Sequence, residues 1–253
     1  MKKTRIGILG YGEIGKAIHK FYKDDITEVL FDVFVRDIDR DDGLTDIDFL
    51  NVAIPFNDSF DFVDVVCKAA VSSGARVVIV HSTVAVGTTA EIKKRLGKEV
   101  LVAHSPCRGV HPYLYEGIKT FLKFVGSPER HDAVVASKHL EQLGIHTHVC
   151  ENAETSELAK ILDTSYYGVC IAYHGEAEKA CEKFGASFEE AMTLFNETYN
   201  EGYTKLGKCN VVRPVLTPPS EPIGGHCVVQ NAELLKKQFQ SEALDLILKY
   251  KKK

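Results

Sequence analysis

Short β-branched runs alternate with amphipathic stretches over the first part of the chain. The apolar runs predict six strands, at residues 6–9, 29–35, 49–54, 77–81, 100–104 and 121–125. The stretches between them predict helices at residues 14–23, 59–73, 89–96 and about 128–143. Several of the strands are apolar without interruption, which is typical of parallel strands covered on both faces. The pattern therefore predicts an α/β fold in which residues 1–150 form a Rossmann-type, doubly wound domain.

The pattern changes after residue 150, where strand signals stop. Apolar positions at helical spacing run from Ala153 to Phe184 and predict one long connecting helix. Ser187 and Glu190 form a capping-box signal for a further helix that ends near Leu206. A proline-rich loop follows, and a last helix is predicted from about Ala232. Residues 151–253 are thus predicted to form a small, all-α second domain.

Composition and charge exclude several classes of protein. Hydrophobic residues make up 45% of the chain and charged residues 26%, with a formal net charge of -4. Such a chain folds but offers no basic surface for nucleic acid, and no apolar stretch approaches the roughly 20 residues that span a bilayer. We expect a cytoplasmic protein that acts on a small molecule.

The seven cysteines form no CxxC pair, so we expect free thiols and no metal site.

A GxGxxG motif lies between the first predicted strand and the first predicted helix. In dinucleotide-binding folds its first glycine permits a tight turn, its second lets the pyrophosphate approach the backbone, and its third allows close packing. The helix that follows presents unpaired N–H groups to the phosphates. The predicted cofactor contacts in this motif are Gly10, Tyr11, Gly12, Glu13, Ile14 and Gly15.

Asp37 lies just past the end of the second predicted strand, about 20 residues after Gly15, where an acid binds the ribose hydroxyls of the cofactor. Its carboxylate would repel the 2′-phosphate of NADP, so the predicted cofactor is NAD. The neighbouring Arg36 leaves NADP as the alternative, since an arginine at this place can accept that phosphate.

Several segments occur in the order found in the nucleotide-sugar 6-dehydrogenases. They are VFVRDID at 33–39, HSTVAVGTT at 81–89, HSPCRG at 104–109, ETSELAKILDTSYYGV at 154–169 and PIGGHCVV at 222–229. The chain therefore resembles the UDP-glucose/GDP-mannose dehydrogenase family over essentially its whole length. The resemblance implies a Rossmann domain, a long helix and a helical dimerisation domain, in a short form without the family's C-terminal nucleotide-sugar-binding domain. We expect a homodimer in which Gly168 and Gly175 of the long helix permit close contact between chains.

The resemblance also implies roles for individual residues. Cys227 matches the nucleophile that captures an aldehyde while a primary alcohol is oxidised to a carboxylate by two hydride transfers. A thiolate suits this role because it adds reversibly to an aldehyde and leaves readily from a thioester. Lys160 matches a lysine that stabilises the oxyanion and contacts substrate, and Thr83 matches a threonine that positions water near the nicotinamide. Ser82 and Pro55 match loops that line the dinucleotide.

Further substrate contacts are implied at Cys107 and Arg108 in HSPCRG, and at Gly224 and Gly225 in GGHC. The two glycines would let the backbone approach the substrate closely.

Three catalytic positions differ from the family pattern. Cys107 replaces a glutamate, Thr164 replaces an asparagine, and Asn231 replaces an aspartate. Asn231 cannot ionise and therefore cannot act as a general base. Three histidines are the alternative bases: His104, His111 and His226.

Three functions follow as hypotheses. The first is an NAD-dependent oxidoreductase that oxidises a primary alcohol of a sugar or nucleotide sugar. The second is a catalytically silent NAD-binding subunit or sensor of the same family. The third is a relative of the β-hydroxyacid dehydrogenases, which share the Rossmann domain, the long helix and a lysine on that helix; GGHC and STV argue against it.

Overall fold

The structure of the protein is a computed structural model that describes residues 2–23, 29–37, 40–57, 59–109, 112–219, 222–223 and 226–251. The chain divides into two compact units, Met1–Lys160 and Ile161–Lys253. The first unit carries the β-sheet and the second is helical. The predicted α/β fold class is confirmed.

A six-stranded sheet forms the centre of the first unit. Its strands are β1 (Thr4–Leu9), β2 (Phe31–Asp37), β3 (Arg40–Asp41), β4 (Phe49–Val52), β5 (Val77–Val80) and β6 (Leu101–His104). Their order is β3-β2-β1-β4-β5-β6, and the pairings are parallel except for the antiparallel β2–β3 pair. The strand order reverses between β1 and β4, which is the point where open α/β sheets bind ligands.

Among the residues that the structure describes, five helices cover this sheet: α1 (Glu13–Tyr22), α2 (Phe62–Ser73), α3 (Thr88–Leu96), α4 (Leu114–Thr120) and α5 (Arg130–Gln142). Two hydrophobic clusters lie against it, one with α1 and α5 and the other with α2 and α3. Along β5, Val77 and Ile79 belong to the first cluster, and Val78 and Val80 belong to the second. Alternate side chains of a strand point to opposite faces, so the uninterrupted apolar run correctly predicted a strand that is buried on both sides.

The sixth predicted strand is present, but it does not join the main sheet. Its residues form β7 (Lys123–Val125), which pairs in parallel with β8 (Thr147–Val149) in a separate two-stranded sheet. A single antiparallel bridge between Gly126 and His104 links it to the end of β6. Apolar patterning identifies a strand but not its hydrogen-bonded neighbour, which depends on tertiary packing.

The long helix α6 (Ala153–Phe184) has the predicted bounds. A π-helix follows at Glu189–Leu194 and continues into α7 (Phe195–Lys205). The Ser187 hydroxyl accepts a hydrogen bond from the backbone N–H of Glu190 at 3.3 Å, as the capping-box signal predicted. Among the described residues, none of the helices is both long and apolar enough to cross a membrane.

The end of the chain contains two helices, α8 (His226–Lys236) and α9 (Glu242–Lys249), where the sequence predicted one from about Ala232. Cys227 therefore lies in the first turn of a helix and not in a loop. The prolines and glycines before Cys227 are typical of a loop, so the sequence pattern does not indicate that a helix begins at His226.

Gly168 and Gly175 permit close contacts within the chain, which corrects the expectation that they contact a second copy. A Cβ atom at Gly168 would lie 2.6 Å from Val228 Cγ1, and one at Gly175 would lie 2.7 Å from Tyr250 Cε1. Both glycines thus bring α6 against the C-terminal segment of its own unit.

Candidate active site

The turn between β1 and α1 has the geometry that the glycine motif requires. Gly10 has φ +92°, and a Cβ atom there would lie 2.7 Å from the carbonyl oxygen of Ala53. A Cβ atom at Gly15 would overlap the carbonyl oxygen of Gly10, whereas one at Gly12 would meet nothing within 4 Å. Gly10 and Gly15 are thus needed by the fold itself. Gly12 instead leaves the backbone of the turn open on one side.

The residues between the glycines have different surroundings. Gly12 is the N-cap residue of α1. Because glycine has no side chain, it offers no acceptor to the backbone N–H groups of the first helical turn. Tyr11 and Ile14 are half-buried and pack on the hydrophobic core, while Glu13 is exposed. The Tyr11 hydroxyl lies 3.3 Å from Nδ1 of His19, which fixes the ring beside the turn.

Asp37 is the last residue of β2, and its side chain is exposed. Leu9 and Arg36 are register partners, so Asp37 lies level with the glycine turn at the carboxyl edge of the sheet. The backbone N–H of Gly10 donates to the carbonyl oxygen of Arg36 at 2.8 Å, and this hydrogen bond fixes the end of β2 beside the glycine turn. This is where an acid can bind ribose hydroxyls.

The loops after β4 and β5 meet at the same edge. The hydroxyl of Ser82 donates to the carbonyl oxygen of Ile54 at 2.6 Å, and Ser82 is buried. Ser82 therefore joins the two loops and does not offer its hydroxyl to a ligand. Pro55 is exposed and Thr83 is half-buried, so these two predicted cofactor contacts remain accessible.

The loop after β6 is held by a buried lysine, Lys123 of β7, that the sequence did not reveal. Lys123 Nζ donates to the carbonyl oxygens of Ser105 at 2.6 Å and Pro106 at 3.1 Å, and lies 3.5 Å from Cys107 Sγ. Lys123 and Cys107 are both buried. Burial lowers the pKa of Lys123, and the positive charge of Lys160 lowers it further. Lys123 thus shapes the HSPCRG loop from inside the protein.

The two cationic side chains predicted to contact substrate are half-buried. Lys160 lies on α6 and acts electrostatically on Lys123. The Arg108 guanidinium lies 5.3 Å from the ring centroid of Phe121. Both cations belong to the first unit, which also holds the glycine turn.

Glu157, one turn before Lys160 on α6, was also missed. One carboxylate oxygen accepts the backbone N–H of Gly87 at 2.7 Å, and the other accepts the N–H and hydroxyl of Thr89 at 2.8 and 2.6 Å. Burial raises the pKa of this carboxyl group, and the hydrogen bonds oppose that rise. Glu157 thereby ties α6 to the N-terminus of α3 and fixes the helix that carries Lys160.

His104 does not have the surroundings of a substrate base. It is fully buried, with Nδ1 2.8 Å from the Ser156 hydroxyl and Nε2 3.1 Å from the Ser82 carbonyl oxygen. Burial lowers its pKa to about 3. The ring therefore holds Ser82 in position and stays neutral.

Other predicted site residues lie outside the described residues: His111, Gly224, Gly225 and the side chain of His226.

The second unit presents Cys227 in the first turn of α8, and its side chain is exposed. Asn231, one turn later on the same face, is buried. Thr164 is half-buried on α6, one turn before Gly168, where Val228 packs. The backbone N–H of Ile223 donates to the Tyr250 carbonyl oxygen at 2.8 Å, which anchors the loop that leads to α8.

All seven cysteines are free. Within the part of the chain that the structure describes, no group of three His, Cys, Asp or Glu side chains could hold a metal ion.

Comparison with known proteins identifies relatives and structural neighbours. A scan against models of protein families finds no match. UDP-N-acetyl-D-mannosamine dehydrogenase of Methanocaldococcus jannaschii is 28% identical over 153 residues, which are 60% of this chain and 33% of the relative. The aligned region is thus about a third of that relative's length.

Two solved structures share the fold over 98% of this chain, each at 17% sequence identity. UDP-D-ManNAc dehydrogenase from Pyrococcus horikoshii has a TM-score of 0.74, with 68% of that chain covered. Mycobacterium tuberculosis 3-hydroxyisobutyrate dehydrogenase has a TM-score of 0.68, with 93% of that chain covered. The sequence relatives, the structural neighbours and the ordered motifs thus agree: the chain is similar to the nucleotide-sugar dehydrogenases and spans only part of their length.

Proposed function

We propose that the chain is an NAD-dependent oxidoreductase that oxidises a primary alcohol of a sugar or nucleotide sugar. The glycine turn carries the cofactor part of this proposal, because Gly12 alone among its glycines is open to a ligand. The residues that would hold the dinucleotide are Gly10, Gly12, Asp37, Pro55 and Thr83. NAD, when bound, supplies the hydride acceptor.

Cys227 is the proposed nucleophile. Its exposed side chain lies in the first turn of α8, where a substrate can reach the sulfur. The thiolate adds to the carbonyl carbon of an aldehyde, and the carbon–oxygen double bond becomes an alkoxide. A cation is the group that stabilises such an alkoxide, and Lys160 is proposed for that role.

Water activation after thioester formation needs a base, and the residue one turn after Cys227 cannot supply it. Asn231 is buried and does not ionise. We therefore expect oxidation to stop at the aldehyde or at the acyl-enzyme, with slow hydrolysis. We also propose that the substrate carries a nucleotide and that the chain forms a homodimer. The exposed aromatic rings of Tyr166, Tyr167 and Tyr173 on α6 support the homodimer.

The test is NADH formation with a panel of nucleotide sugars and sugar phosphates. We expect turnover that is lost in Cys227→Ser and kept in Cys209→Ser, a matched control because Cys209 is also exposed in the second unit. Counting NADH per substrate separates one oxidation from two. Binding of NAD without any turnover supports the silent subunit, and equal turnover in both variants contradicts the role of Cys227.

A second candidate is oxidation of a β-hydroxyacid. The observation that favours it is the fold match to 3-hydroxyisobutyrate dehydrogenase, which covers 93% of that chain. A hydroxyacid reaction needs no thiol nucleophile, so it would survive Cys227→Ser and require Lys160. Including 3-hydroxy acids in the same panel distinguishes the two reactions.

A further inference from the structure

Two arginines flank the acid at the end of β2, and the β2–β3 register assigns them to opposite faces. Asp37 faces Arg40, and Arg36 faces Asp41. Directly opposed residues of an antiparallel pair share one face, while neighbours along a strand alternate. Asp37 and Arg40 therefore share one face, and Arg36 and Asp41 lie on the other.

On the face of Asp37, the guanidinium of Arg40 is held in a two-point ion pair. Its Nε lies 3.0 and 2.9 Å from the two carboxylate oxygens of Asp42, and its second terminal nitrogen lies 2.7 Å from Oδ2. Asp42 Oδ2 also accepts the backbone N–H of Val35 at 3.0 Å. The carboxylate is thus fixed to β2, and it fixes Arg40 in turn. Arg40 holds the pKa of Asp42 below its ordinary value.

The pair lies against the glycine turn. The Arg40 guanidinium carbon lies 5.2 Å from the ring centroid of Tyr11, within the range of a cation–π contact. Tyr11 is the residue between Gly10 and Gly12. Arg40 therefore borders the region between the turn and Asp37, where the ribose of a bound dinucleotide would lie.

The opposite face has a looser pair of the same chemistry. Arg36 Nε lies 3.4 Å from Asp41 Oδ1, which also accepts the backbone N–H of Gly43 at 3.0 Å. This pair does not share the face of Asp37. The chain thus contains a natural control for the effect of Arg40.

We propose that Asp42 makes the cofactor site selective for NAD by occupying the guanidinium of Arg40. This inference rests on the proposed function. The 2′-phosphate of NADP would meet two carboxylates, Asp37 and Asp42, and a guanidinium whose Nε and second terminal nitrogen already bond to Asp42. Arginine binds phosphate through the same planar donor pairs that it gives to a carboxylate, so Asp42 competes with a phosphate for the Nε–Nη2 edge of Arg40 and offsets its charge.

The test compares the dissociation constants of NAD and NADP by calorimetry on the full chain. Asp42→Asn removes the charge but keeps an oxygen for the Val35 N–H. We expect it to raise the affinity for NADP relative to NAD about fivefold, the scale of one exposed ion pair. Adding Arg40→Gln to Asp42→Asn abolishes this gain. The control variant Asp41→Asn, which changes the net charge equally, leaves the ratio unchanged.

The outcomes separate this inference from the proposed function. If the wild-type chain binds neither dinucleotide, the proposed function and this inference both fail. If it binds NAD but Asp42→Asn leaves the ratio unchanged, or Asp41→Asn changes it as much, only the inference is overturned. Circular dichroism of each variant verifies that the fold is kept.

Discussion

Among single residues, the three glycines of the GxGxxG motif are required for different reasons. Gly10 and Gly15 have no room for a Cβ atom, whereas a Cβ atom at Gly12 would enter open space. The fold therefore requires the first and the third glycine. Packing does not require the second, and the proposed dinucleotide gives it a role.

This difference predicts opposite effects of two alanine substitutions on stability. Gly15→Ala forces a methyl group onto the Gly10 carbonyl and should lower the free energy of unfolding by about 2 kcal/mol or more. Gly12→Ala should cost less than about 1 kcal/mol, the scale of a changed N-cap. Urea unfolding measures both, and equal costs would contradict the assignment of Gly12 to a ligand.

The glycine spacing and Asp37 could be predicted from the sequence because backbone geometry dictates them. Lys123 and Glu157 could not. Both are charged residue types that are normally exposed, and their burial depends on partners distant in sequence, such as Ser105 and Thr89. Ser82 was identified, but its hydroxyl joins two loops instead of facing a ligand.

At the scale of the element, α6 and α8 form the support for Cys227. The Gly168 backbone receives the side chain of Val228, the neighbour of Cys227. A larger residue at this point would push the first turn of α8 away from α6. The position of the proposed nucleophile therefore depends on Gly168, although a glycine inside a helix lowers the stability of that helix.

Gly168→Ala should lower the free energy of unfolding by about 1–3 kcal/mol through overpacking. Gly202→Ala is the matched control, since Gly202 is in α7 and a Cβ atom there meets nothing within 4 Å. That control should raise stability by up to about 1 kcal/mol, because alanine favours a helix more than glycine does. A stabilising effect of Gly168→Ala in thermal unfolding would contradict the packing described.

Sequence patterns predicted the long elements well and the short ones poorly. The bounds of α6 were predicted correctly because its helical periodicity is sustained over 32 residues. The two-residue strand β3 has no pattern of its own and forms only through pairing with β2. The start of α8 was missed because the proline and glycine signals before it resemble a loop.

At the scale of the whole molecule, the first unit keeps several histidines buried and neutral. Burial lowers the pKa of both His104 and His139 to about 3, and that of His81 well below its ordinary value. In the unfolded chain a histidine titrates near 6.5. The folded state therefore excludes protons that the unfolded state binds.

This difference gives the protein a pH-dependent stability. Between pH 6.5 and about 3 the unfolded state holds more protons, so stability is fully present above pH 6.5 and is lost as pH falls. His104 alone contributes a slope of about 1.4 kcal/mol per pH unit within that window. His104→Gln should reduce the measured slope by this amount, and the same change at the exposed His148 should not. Identical slopes in the wild-type chain and His104→Gln would refute the neutral, buried state.

We propose that NAD binds at the glycine turn, on the carboxyl edge of the sheet. Calorimetric titration of NAD into the full chain tests it most directly, with Gly12→Ala as the comparison. We expect binding to one site per chain that is at least about tenfold weaker in Gly12→Ala, because the added methyl group occupies the open space against the turn. Absence of binding to the wild-type chain, or equal binding to both proteins, would contradict it.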